Sequence, residues 1–142
     1  ALQLGYAWIS SGELSQADRV FADVIQQART GEDPRLEGWG LSGQGDVLVS
    51  QGDGPGALAA YQAGLTIAEG LAKRDPANTE WQVDVTVSCW KLGSLDALLT
   101  IPERRTFFQR GRQILGQLKA AGRLQANQDW ISAFDQALAE LA

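Results

Sequence analysis

Few residues in this chain offer chemistry, and their spacing offers less. Histidine is absent from the 142 residues, which removes the commonest general base near neutral pH and a common metal ligand. The single cysteine, Cys89, lies between Ser88 and Trp90 with no imidazole to activate it, and reads as a packed side chain rather than a nucleophile. Asp53 sits in the turn Gly52-Asp53-Gly54-Pro55-Gly56. That turn lacks the lysine of a phosphate loop and the alternating acids of a calcium loop, so a helix–helix connection accounts for it. Asp46, Asp84 and Asp96 are the carboxylates left for acid–base work, and their positions in sequence do not decide whether any two meet. No enzymatic activity, cofactor or metal is expected.

Charge points elsewhere. Residues 1–102 carry 6 basic and 13 acidic side chains, a net of −7, whereas residues 103–123 carry Arg104, Arg105, Arg110, Arg112, Lys119 and Arg123 against Glu103. The last nineteen residues return −3 through Asp129, Asp135 and Glu140. A basic helix on an acidic body can meet an acidic surface or nucleic acid. The commoner meaning is a solvated face, and without an aromatic stacking platform or a phosphate cradle nucleic acid is not an expected partner. A lone cysteine forms no internal disulfide, which points to a reducing cytoplasm. No apolar run approaches the ~20 residues of a membrane span, and no charged-then-apolar start marks a leader. The chain starts at Ala1 and contains no Met, so it is expected to be processed or a piece of a longer protein.

The elements that position these residues read as helices. Leu2, Leu4, Tyr6 and Ile9 give a short helical pattern ending at Ser11-Gly12. Ala17, Val20, Phe21, Val24, Ile25 and Ala28 recur at three- and four-residue steps and predict a helix over 14–29. Gly31 is available to end it in the left-handed conformation, and Asp33-Pro34 starts the next with an N-cap and proline at the first helical position. The helix over 34–50 holds Gly38, Gly40, Gly43 and Gly45, each less favourable than alanine by roughly 1 kcal/mol. Such a load implies a packing role, with small residues letting a neighbour come close. A fourth helix spans about 55–74 and stops at Asp75-Pro76. Val83, Val85 and Val87 alternate as a strand would, but the unbroken run to Leu99 favours a helix over 79–99. Ile101-Pro102 opens a sixth to about Ala121. A last helix over 127–141 is expected to turn Trp130, Ile131, Phe134, Leu138 and Leu141 inward.

A repeat organises these helices. From Gly5, Gly12 lies seven residues on, Ala17 twelve and Phe21 sixteen; from Gly45 the same offsets reach Gly52, Ala57 and Tyr61. Small residues stand where two helices cross, a glycine at the turn, and an aromatic wedge on the second helix. From Gly93 the offsets fall on Thr100, Arg105 and Gln109, a degenerate copy in which Phe108 supplies the wedge one residue early.

This pattern resembles the tetratricopeptide repeat (TPR). More narrowly, Asp75, Pro76, Asn78, Trp81, Gln82, Asp84, Val87, Ser88, Lys91, Leu92 and Gly93 resemble the segment that links copies in a bacterial variant with lengthened helices. The stretch AGRLQANQDWISAF is similar to the closing helix of such chains. The spacings from Gly5 to Gly45 and from Gly45 to Gly93 exceed the usual 34 residues. The resemblance implies an all-α fold, a right-handed superhelix of antiparallel helix pairs (a TPR-like α-solenoid) with about seven helices. It would form a single domain with repeats over 1–31, 34–76 and 79–121 and a capping helix over 127–141. A worn last copy under a cap suits a solenoid end, whose outer face has no neighbour.

The resemblance also implies a concave groove lined by the first helix of each pair. Its offsets fall on Leu2, Tyr6, Ile9 and Ser10, then on Trp39, Ser42, Asp46, Val49 and Ser50, then on Val87, Trp90, Ser94, Ala97 and Leu98. Large apolar side chains there would anchor a peptide or helix, and Asp46 with Asp84 would favour a basic or amine-bearing ligand. A competing reading packs Trp39 and Trp90 between helices or under the closing helix. The groove lacks the Lys/Arg clamp that holds a C-terminal carboxylate. The expected function is a non-catalytic scaffold for a protein or peptide partner, with a structural, self-associating module of a larger protein as the alternative.

Overall fold

The computed structural model describes residues 2–142. Among them, seven α-helices follow one another as adjacent antiparallel pairs: α1 (Leu2–Ser10), α2 (Leu14–Thr30), α3 (Pro34–Ser50), α4 (Gly54–Arg74), α5 (Thr79–Gly93), α6 (Ile101–Ala120) and α7 (Ile131–Glu140), with a 3-10 turn at Ala126–Gln128. Side-chain caps set several starts. Asp33 Oδ1 accepts from Leu36 N–H at 3.1 Å, Asp53 Oδ1 from Gly56 N–H at 2.9 Å, and Asn78 Oδ1 from Trp81 N–H at 3.1 Å. Each satisfies an amide that a helix start leaves without an intrahelical partner. At α6 the cap is reciprocal: Glu103 N–H donates to Thr100 Oγ1, and Thr100 N–H to Glu103 Oε1. Those bonds hold the Glu103 carboxyl below its ordinary range.

The chain forms two compact units, one ending at Ile67 and one beginning at Ala68. In the first, the aromatic wedges expected from the repeat lie directly on glycines. A Cβ on Gly5 would stand 2.6 Å from the Phe21 ring, and one on Gly43 of α3 would meet the same ring. Gly45 lies under Tyr61 in the same way, and Gly40 under Ile25. The glycines of α3 therefore divide by direction. Gly40 and Gly43 receive α2, whereas Gly38 and Gly45 receive α4, where a Cβ on Gly64 would stand 3.3 Å from the Gly38 carbonyl oxygen. Phe21 is fully buried with Ala17 and Val47, and Leu2, Trp8, Ile9 and Leu14 pack around them.

In the second unit, Phe108 of α6 rests on Gly93 of α5 and Phe134 of α7 on Gly111 of α6. Phe108, Leu115 and Phe134 form the core, with Leu124, Ile131, Ala137, Leu138 and Leu141 around it. The wedge one residue early in the third pair is thus seated like the others.

Three local expectations are corrected. The left-handed residue after α2 is Glu32 (φ 52°), not Gly31. Helix α5 stops at Gly93 instead of Leu99: the Leu95 amide bonds back to the Leu92 carbonyl (3.1 Å) and the Asp96 amide to the Ser94 carbonyl (3.0 Å), so the i to i−4 ladder ends there, and Leu95 is buried. The final helix begins at Ile131, and Trp130 stays 38% exposed instead of turning inward. Gly12 and Gly52 take φ near +80°, the conformation a matched turn residue requires.

Gly43→Ala should lower unfolding stability by about 1–3 kcal/mol through overpacking against Phe21. Gly70 of α4 has open space where a Cβ would stand, so Gly70→Ala should raise stability by about 0.5–1 kcal/mol. Denaturant unfolding of the two variants checks the opposite signs.

Candidate functional site

In the first unit the expected groove residues fall into two groups. Tyr6 of α1 lies edge-on to Phe21, with ring centroids 5.1 Å apart at 72°, and its hydroxyl reaches Asp46 of α3. Tyr61 of α4 donates to Asp46 Oδ1 at 2.5 Å. One half-buried carboxylate thus gathers phenols from two other helices. The chain has two tyrosines, and both are here. Burial first, and the Asp46 charge and hydrogen bond next, push both phenols far above their ordinary range. Tyr6 keeps 38% of its surface exposed, but its hydroxyl is the desolvated end. Sequence reading placed Tyr6 and Asp46 on this face and assigned Tyr61 to packing alone. The offset that lays Tyr61 over Gly45 also brings its hydroxyl to the next residue, so the signal was present.

Trp39 is exposed, with Arg35 Cζ stacked 4.3 Å from its ring centre one turn earlier, a cation–π contact. Val49 is exposed and Ile9 half-buried against the core. Ser42 departs from the expectation: it is buried against α4, its Oγ 3.5 Å from where a Gly64 Cβ would stand.

In the second unit Asp84 and Val87 are half-buried, and Ser94 is exposed with its hydroxyl bonded to the Trp90 carbonyl. Trp90 packs against Phe108 (5.3 Å) and edge-on to Phe134 (5.2 Å, 77°) yet stays 37% exposed. Trp90 is thus packed against α6 and α7 on one side and open on the other. Beside it opens a pocket of about 280 Å³ between α5 and α7, lined by Thr86, Val87, Trp90, Trp130, Ala133 and Phe134. Sequence reading named Val87 and Trp90 from this set. It missed the α7 wall because it ran the last helix straight through Trp130.

The basic run is not a free face. Arg104 donates to the Gly93 carbonyl (2.7 Å), Arg105 to the Leu141 carbonyl (3.1 Å), and Arg123 to Thr79 Oγ1 and the Ala77 carbonyl. Arg110 pairs with Glu69, Arg112 with Asp135 and Lys119 with Asp129, at 2.8, 3.0 and 2.8 Å. The Lys119 bond draws the Asp129 carboxyl below its ordinary range. All six cations between 103 and 123 are thus engaged within this unit, while Arg110, Arg112 and Lys119 keep 41%, 40% and 62% of their side chains exposed, as a solvated face requires.

Cys89 is fully buried, and burial pushes its thiol up to about 11, against the partial pull of Arg110. About one thiol in ten thousand is then ionised at pH 7, too few for a nucleophile. Among the described residues no three His, Cys, Asp or Glu side chains converge as a metal site, and no helix is long and apolar enough to cross a membrane. Compared with protein-family models, with curated proteins and with solved structures, the chain matches none.

Phenols whose folded pKa lies above the unfolded value of about 10 add stability that is fully present below that pH and is lost as pH rises through and beyond it. The folded protein should show little tyrosinate absorbance at about pH 11 and should lose stability from about pH 10 upward. In Asp46→Asn the absorbance should rise at lower pH, because the charge that opposes ionisation is gone. Ultraviolet titration of both proteins checks this, and a wild-type midpoint near the ordinary phenol value would contradict it.

Proposed function

We propose that the chain is a TPR-like scaffold: a non-catalytic module of helix pairs whose first helices (α1, α3 and α5) offer side chains to a peptide, helix or domain of a protein partner. The observation that carries this reading is the recurrence of one contact. An aromatic residue of the second helix sits on a glycine of the first in all three pairs, Phe21 on Gly5, Tyr61 on Gly45 and Phe108 on Gly93. The same register that fixes those seats turns Tyr6, Trp39, Val49 and Trp90 outward, and these large apolar side chains stay exposed within their own units. Exposed aromatics on a rigid helical support are favoured anchors for protein partners.

A second reading, self-association, is favoured by Leu4 on the outer side of α1, which is 52% exposed. Peptides selected from a displayed library on the full chain separate the two. Trp39→Ala and Trp90→Ala should each weaken a selected peptide at least ~10-fold while helical circular dichroism is retained. Binding that ignores both substitutions rejects these two anchors. A molecular mass by light scattering that rises with concentration and falls in Leu4→Asp would favour self-association instead.

A further inference from the structure

We draw no further inference here: the strongest candidate, the apolar pocket between α5 and α7 that Trp90 and Trp130 line, carries nothing because no feature of the structure shows what fills it.

Discussion

An aromatic ring can lie flat on a helix only where the residue beneath it has no Cβ, and that constraint governs both units. Phe21 sits between Gly5 and Gly43, Tyr61 covers Gly45, Phe108 covers Gly93 and Phe134 covers Gly111. A Cβ at any of these positions would stand closer to the ring than real Cβ contacts do. The helices consequently give up intrinsic propensity, about 1 kcal/mol per interior glycine. They recover it by burying large rings at short interhelical distance, each ring contributing about 1.5–3 kcal/mol. Register follows as well. Sliding a helix by one residue would put a side chain where the ring must go, so the seats select one pairing from many.

This is also why so much of the architecture was legible in the sequence. Glycine–aromatic spacing of sixteen residues, and proline or capping residues at Asp33-Pro34, Asn78 and Thr100, are local signals with strong physical causes. Where the sequence reading failed, the cause was tertiary. Gly31 looked like the left-handed residue, but the chain makes that turn one residue later at Glu32. Helix α5 looked continuous to Leu99 because nothing in periodicity reveals that the Leu95 amide turns back to the Leu92 carbonyl and that its side chain enters the core. Trp130 looked like a core residue by its apolar spacing, yet it stands just before α7 with its ring at the edge of the pocket.

The treatment of charge follows the same division. Composition shows an acidic body and a basic segment but not where the basic side chains end. They end on the Gly93, Ala77 and Leu141 carbonyls and on Glu69, Asp135 and Asp129. Exposed ion pairs of this kind stabilise little individually. Their stronger effect is on position, because they draw α7, the 3-10 turn and the end of α4 toward α6. Asp46 does the analogous work in the first unit with phenols in place of cations, joining α1, α3 and α4 through one carboxylate. The sequence placed Asp46 on an outward face, and the structure adds that much of its bonding capacity is already directed at Tyr6 and Tyr61.

The pocket beside Trp90 arises from these two constraints acting together. Phe134 must lie on Gly111, which fixes the inner face of α7. Lys119 holds Asp129, whose other oxygen accepts from Ile131 N–H at 3.4 Å, so the chain bends just before α7 starts. A helix running straight from Asn127 would carry Trp130 in phase with Phe134 (i, i+4) and tuck its ring onto the core. With α7 starting only at Ile131, the indole stays 38% exposed at the rim of the pocket that Trp90 also lines. An apolar hollow remains between them because the ring that could fill it is held aside.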